Sequence, residues 1–348
     1  MSSMMSTNAM SSALTNSILN MQAQLARAQK EMSTGNVSDL GDSLGSNVGL
    51  DYSYGATNSM LTAIQSTNNL VSSRLDITQS ALSNIASDAS NLRDLLLQAQ
   101  SNNGSVSTME TEAQNSLENL TSTLNTSDGG GFVFGGINSA TAPMSSYVST
   151  PTSAAQQSVA TAFSTAFGMS QTSGNVSSIS AQQMQTFLTG AFANLFSSGN
   201  WSANWSQASS QPTQNQISLF QTVNTSVTAN DPALRQLAEG YTMLSDLNLS
   251  KLSQSTASTI IAAASSLINQ GISGLTQMQA NVGIMQSDVS NANQMMSIQQ
   301  NFFQTQIGSM ENVDQTQTAT QVNSLTTQIE TAYQLTAKLQ QLSLAQYL

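Results

Sequence analysis

Few side chains in this sequence could do chemistry. The chain contains no histidine and no cysteine, so the commonest general base, the commonest metal ligand and the thiol nucleophile are missing. The three lysines, Lys30, Lys251 and Lys338, fall on predicted helix faces or near a helix start. No disulfide can form, which fits a protein that is exported unfolded. These residue types predict a protein that is not an enzyme and that holds no cofactor or metal.

Two acidic pairs are the remaining candidates for acid-base work or for calcium binding. Glu110 of the pair Glu110/Glu112 is predicted to cap a helix, and Asp39/Asp42 to lie solvated in a loop. The glycine-rich stretch 129–136 lacks the Lys-Ser/Thr that follows a phosphate-binding loop. We interpret it as a turn between a helix and a short strand.

Two further groups of residues have a binding interpretation and a packing interpretation. Trp201 and Trp205 could stack on sugars, but the region around them has few other large apolar groups, so burial is favoured. Met278, Met285 and Met296 could line a promiscuous groove, but their helical spacing favours core packing.

The composition predicts a subunit rather than a binder of anionic polymers. Only 7% of the residues are charged and the net charge is −11, which excludes the basic footprint of a nucleic-acid binder and disfavours an anionic membrane surface. A neutral polar surface suits a protein that packs against many copies, because paired charges would be costly to desolvate. Residues 1–12 lack the features of a secretory signal, and the longest apolar block, 260–264, is too short to span a membrane.

A long helical pattern in the last third of the chain is the element around which the rest of the chain is organised. Apolar residues recur at alternating steps of three and four, with no proline, which predicts one apolar face on a long helix. At 1.5 Å per residue, some fifty residues would form a rod of about 75 Å. The positions are Ile261, Ala264, Ile268, Gly271, Leu275, Met278, Val282, Met285, Val289, Ala292, Met296, Gln299 and Phe303.

Similar patterns lie at both ends of the chain, so helices from the two termini should pair. Predicted helices cover about 10–32, 61–99, 107–124 and 315–342, and a loop covers 35–59. The first should end at Gly35 in a left-handed C-cap, and Asp314 should cap the last. The predicted fold is mainly α: long antiparallel coiled-coil-like helices from both termini form a rod, with a small inserted α+β domain at the tip.

The inserted region, 143–230, has a composition of its own. No Asp, Glu, Lys or Arg occurs between Asp128 and Asp231. Short helices are predicted over about 154–167 and 181–196, and a strand within 217–228; a further short strand, at 132–134, is predicted ahead of the region. Asp231 should cap a helix that has Pro232 at its first position.

Four stretches carry a resemblance to the flagellin family, and within it to the hook-associated protein 3 group of the alphaproteobacterial type. Residues 24–35 resemble the family's N-terminal helix and its S/T-T/S-G stop. Residues 131–138, with Pro143, resemble the group's F-x-F-x-G turn, and 192–196, with the two tryptophans, its inserted domain. Residues 331–344, closing at Tyr347-Leu348, are the most specific.

Two departures from the family pattern favour the hook-associated protein 3 group, which forms the hook-filament junction, over the filament subunit. The Arg-x-Asn…Asp-Asp loop usual in flagellins is replaced here by residues 36–41, and the final residue is not basic. The expected function is that of a structural subunit joining the flagellar hook to the filament. The alternatives are a filament flagellin and, in another class, a secreted coiled-coil effector or adhesin; a hydrolase comes third.

The resemblance implies three layers, which are 1–50 plus 311–348 (terminal helical assembly layer), 51–142 plus 231–310 (rod-like helical domain) and 143–230 (outer domain). It also implies type III export, an extracellular location at the hook-filament junction, and self-assembly into a ring. The partners would be a neighbouring hook-associated protein, flagellin subunits and an export chaperone, with no nucleic acid and no membrane. The terminal apolar faces should form the assembly interface: Leu14, Ile18, Met21, Leu25, Val322, Leu325, Ile329, Leu339 and Leu342.

Overall fold

The structure, a computed structural model, describes residues 7–102 and 105–345. The chain divides into two compact units: a terminal unit, from Met1–Thr62 and Ser297–Leu348, and a middle unit, Ala63–Met296. Within the described residues the fold is mainly α with one small sheet, as predicted. The division into three layers stays a prediction.

The α-helices are α1 (Thr7–Thr34), α2 (Leu40–Leu44), α3 (Val48–Asn102), α4 (Val106–Leu124), α5 (Ala154–Phe167), α6 (Ala181–Phe187), α7 (Ser198–Asn204), α8 (Pro232–Asp246), α9 (Gln254–Glu311) and α10 (Gln315–Ala345).

The predicted loop 35–59 is wrong beyond residue 39. Asp39 accepts hydrogen bonds from the backbone N–H groups of Gly41 and Asp42 and so caps α2, and α3 begins at Val48. Tyr54, inside this helical segment, packs against aromatic rings that are far away in the sequence. Its ring lies 5.4 Å from that of Phe303 and 6.5 Å from that of Phe302, measured between centroids.

The long apolar face predicted on the last third of the chain is confirmed in α9, where most of its positions are buried. In the middle unit α9 runs antiparallel to α3. The amide of Asn68 donates to Asn293 Oδ1 (2.8 Å), and Gln286 donates to Asp76 Oδ1 (2.7 Å). Asn68, a polar residue within the predicted helix 61–99, is fully buried, and its amide also donates to the carbonyl of Ile217 at 2.8 Å.

Helices α4 and α8 pack together in the middle unit. The start of α8 agrees with the prediction, and that of α4 does not. Asp231 caps α8 by accepting from Ala233 N at 2.9 Å, as predicted. The capping box expected at residues 107–110 is absent, because α4 already begins at Val106. Glu110 instead accepts a hydrogen bond from the backbone N–H of Ser250 at 2.9 Å.

An aromatic core holds the inserted region together. Trp201 and Trp205 are 0% and 1% exposed, with ring centroids 5.3 Å apart, so their predicted burial is confirmed. The helix predicted over 154–167 is confirmed, while that over 181–196 consists of α6 followed by a π-helical turn, Leu188–Phe192. The sheet is an antiparallel pair, β1 (Gln214–Gln216) and β2 (Thr222–Asn224), in which Asn215 lies opposite Val223.

The expected strand at 132–134 is a series of turns instead. Asp128 Oδ1 accepts from the backbone N–H groups of Gly130 (2.9 Å) and Gly131 (2.8 Å). Arg74 donates to the Phe132 carbonyl at 2.7 Å and lies 3.5 Å from the Asp128 carboxylate. Among the residues that the structure describes, the segment pairs only at isolated bridges, Phe132 with Ser127 and Gly135 with Thr228.

Candidate assembly interface

The two terminal helices pair antiparallel, as the sequence predicts. Gln22 on α1 donates a hydrogen bond to the Tyr333 hydroxyl on α10 at 2.7 Å. Where α1 ends, Asn36 forms an isolated antiparallel bridge with Asn312, just before α10 starts. The ends of the chain described here therefore form one helical pair within the terminal unit.

Two backbone hydrogen bonds next to the helix ends, which we call the clasp, fix the register of this helical pair. Val37 N donates to the Glu311 carbonyl (2.7 Å), and Val313 N donates to the Gly35 carbonyl (2.9 Å). Gly35 has a φ of 76°, the left-handed conformation predicted for the end of α1. Asp314 caps α10 by accepting from Thr316 N at 2.8 Å. Both helices thus start or stop at the clasp.

The pair buries only part of its predicted apolar faces. Ile18, Leu325 and Ile329 are 7%, 6% and 8% exposed. Five of the other predicted residues are half-buried: Leu14, Met21, Leu25, Val322 and Leu339. The side chain of Leu342, and residues Tyr347 and Leu348, lie outside the described residues. The role of all nine in assembly stays a prediction.

Apolar surface remains open beside the buried contacts. A shallow groove of about 570 Å³ is lined by Leu14 and Met21 of α1 and by Ala332 and Leu335 of α10. Leu335 is itself 49% exposed, and Leu19 is 57% exposed. Two helices can bury only the faces they turn toward each other, so these residues stay exposed in the helical pair.

The charges of the terminal unit contribute little to holding the pair. Arg27 and Asp42 lie 3.1 Å apart, but both side chains are mostly exposed, so water screens the interaction. Asp51 is buried, and burial together with its charge and hydrogen bond raises the pKa of Glu311. The packing, rather than ion pairing, stabilises this unit.

The residues first considered for chemistry are dispersed. Within the described residues, no group of three or more His, Cys, Asp and Glu side chains could hold a metal ion. Asp39 serves as a cap, and Asp42 and Glu110 have the contacts given above. No helix in the described part of the chain has the length and apolar character that a membrane crossing requires.

Sequence reasoning missed the clasp and the pair formed by Gln22 and Tyr333. The clasp uses backbone groups, which carry no residue signature. Tyr333 lies in the stretch that resembles the flagellin C-terminus, so its presence there was the one available signal. Its partner on α1 could not be identified from helical spacing alone.

The fold and the terminal pair together define a class: a mainly helical protein whose paired terminal helices leave apolar surface exposed. The family model for the bacterial flagellin N-terminal helical region matches residues 5–139, and that for the bacterial flagellin C-terminal helical region matches residues 265–348. The chain belongs to the flagellin family. It is therefore a structural component of the flagellum that assembles with other flagellar subunits.

One solved structure similar to the chain is assigned as a flagellar hook-associated protein from Vibrio parahaemolyticus. It is 15% identical, with a TM-score of 0.49, and the match covers 74% of this chain and 95% of that one. No match was found among curated proteins.

Proposed function

We propose that the protein is the subunit that joins the flagellar hook to the filament. The observation that carries this proposal is the segment 36–41, Asn-Val-Ser-Asp-Leu-Gly, which stands where flagellins usually have an arginine and paired acidic residues. In this chain the segment joins the clasp through Val37 and caps α2 through Asp39. A loop without the arginine and the paired acidic residues cannot form the same ion pairs with neighbouring subunits. This difference supports a position other than that of the bulk filament subunit.

The terminal helices would make the contacts of the assembly. Copies exported through the type III apparatus, with the help of an export chaperone, would form a ring outside the cell. In that ring the open groove of each terminal pair would be covered by a neighbour, either another copy, a hook-associated protein or a flagellin subunit. The chain's neutral polar surface suits such contacts because few charges must be desolvated.

Gold-labelled antibody on detached flagella tests this position. We expect a single cluster of label where hook meets filament, and no label on flagella from a strain that lacks the gene. Label along the whole shaft would contradict the proposal and identify a filament flagellin. Protein free in the medium, with no label on flagella, would favour the secreted effector or adhesin instead.

A further inference from the structure

The most exposed large apolar side chain in the described residues is Phe220, which is 98% exposed. It lies in the loop that joins β1 to β2, and this hairpin is well anchored. Ile217 in the same loop is fully buried, its N–H donates to the Gln221 carbonyl (2.9 Å), and its carbonyl accepts from Asn68 (2.8 Å). The phenyl ring is therefore presented to solvent by a fixed support.

The same unit contains a groove of about 730 Å³ between α8, α9 and the π-helical turn Leu188–Phe192. Its apolar wall includes Leu188, Met243, Ala263 and Leu267. A phenyl ring is much smaller than this volume, so the groove can take the ring together with the residues beside it.

The groove also contains a buried carboxyl group, that of Glu239. The side chain is only 9% exposed, lines the groove, and makes no hydrogen bond or ion pair with the residues that the structure describes. Burial raises the pKa of Glu239 to about 7, and the charge of Arg235 opposes that rise. A buried acceptor without a donor is costly, so the groove is suited to an occupant that brings N–H groups.

The hairpin has such donors. The backbone N–H groups of Leu219 and Phe220 form no hydrogen bond among residues 7–102 and 105–345. The segment between Asp128 and Asp231 has no charged residue, so no like charge opposes its approach to a carboxyl group. An apolar ring flanked by free N–H groups matches an apolar groove that contains a free acceptor.

The hairpin cannot fill the groove of its own chain. Asn68 ties the hairpin to Asn293 on α9, whereas the groove lies at Leu267 and its neighbours on the same helix. The 26 residues from 267 to 293, at 1.5 Å each, span roughly 40 Å, which is several times the length of a phenylalanine side chain. Any occupant of this kind must come from a second molecule.

We propose that the Phe220 hairpin of one copy inserts into the Glu239 groove of the next copy. The two surfaces differ, so the contact is heterologous and can continue from copy to copy around a ring or along a tube. This inference rests on self-assembly, which the family membership establishes, and not on the position at the junction.

A photo-crosslinking residue at the hairpin tests the contact in the full chain. Phe220→p-benzoylphenylalanine is expressed in a strain that lacks the natural gene, isolated flagella are irradiated, and the crosslinked peptides are mapped by mass spectrometry. We expect the crosslink to join residue 220 of one copy to the segment 239–270 of another. The same probe at Val148, which is 50% exposed in the same unit, should not reach that segment.

A second variant separates loss of the contact from loss of folding. Ala262→Trp places a bulky group at an exposed position that lines the groove, and it should lower the crosslink yield about tenfold while the circular dichroism spectrum is unchanged. Crosslinks to another region or another protein, or no crosslink, would overturn the inference. Antibody label along the whole shaft with a crosslink in the groove would instead contradict only the junction position.

Discussion

At the scale of single residues, Gly136 combines a left-handed backbone with a close approach to two carbonyl oxygens. Its φ is +59°, and a Cβ atom would lie 2.5 Å from the Gln211 carbonyl oxygen and 2.7 Å from that of Ser209. We expect Gly136→Ala to lower the free energy of unfolding by more than the roughly 1–3 kcal/mol of a strained backbone alone. Urea denaturation followed by tryptophan fluorescence measures it.

Gly168 supplies the matched control for this substitution. It also has a left-handed φ, +68°, but a Cβ atom there would meet nothing within 4 Å. Gly168→Ala should therefore cost about 1 kcal/mol, the conformational part only. Equal losses for the two variants would show that the close approach at Gly136 does not matter.

Glu239 makes stability depend on pH. Its pKa is raised from 4.5 to about 7 by burial, so well below pH 4.5 the carboxyl group is neutral in both the folded and the unfolded chain. As pH rises from 4.5 to 7 the unfolded chain loses the proton first, and the folded state loses stability. The full difference corresponds to at most about 3 kcal/mol.

We therefore expect Glu239→Gln to be more stable than the natural protein at pH 8 and nearly equal to it at about pH 3.5, where the carboxyl group is protonated in both states. Urea denaturation at the two pH values measures this difference. Glu118→Gln, at an exposed position, controls for the loss of one negative charge. The same gain at both pH values would contradict the assignment to burial of this carboxyl group.

At the scale of elements, the predicted assembly face of α10 can be tested with Leu339→Asp. Leu339 is half-buried, and a charge there would have to be desolvated when a neighbouring chain covers the face. We expect the middle unit to remain folded, with an unchanged tryptophan spectrum, while incorporation into flagella is lost. Motility and immunoblots of purified flagella measure incorporation.

Ala337→Asp is the matched control on the same helix. It adds the same charge with a similar change of helix propensity, but at an exposed position. We expect this variant to be incorporated. If both variants fail equally, the charge of α10 rather than its apolar face is responsible, and a motile Leu339→Asp strain with normal flagella would remove support for the face altogether.

At the scale of the whole molecule, the two units differ in how much apolar surface they bury. The terminal unit buries few large side chains, among them Ile18, Leu325 and Ile329, whereas one continuous core runs through the middle unit. A helix that cannot bury its apolar face opens easily. Hydrogen exchange of the isolated subunit should therefore be fast in α1 and α10 and slow in the middle-unit part of α9.

The same experiment on assembled flagella provides the comparison. If neighbours cover the terminal helices, exchange in α1 and α10 should become much slower, while the middle unit should change little. Slow exchange of the terminal helices already in the isolated subunit would show that the pair is stable alone and would weaken the proposed role of the neighbours.

The sequence by itself determined the features that depend on neighbouring positions of one chain. The apolar face of α9, the cap at Asp314, the left-handed Gly35 and the helix started by Asp231 and Pro232 are all local, because helical spacing and capping involve residues within about one turn. The low charge likewise pointed to packing among subunits before any contact was known.

Tertiary structure alone decided the features whose partners are distant in sequence. Arg74 donates to the Phe132 carbonyl, 58 residues away, in the turns that stand where a strand was predicted. Tyr54 packs on Phe302 and Phe303 from a segment that was predicted to be a loop and is helical. In the clasp, backbone groups bond across some 275 residues, and main-chain donors and acceptors are the same in almost every residue. Such pairing leaves no pattern in the sequence, so only the folded chain shows it.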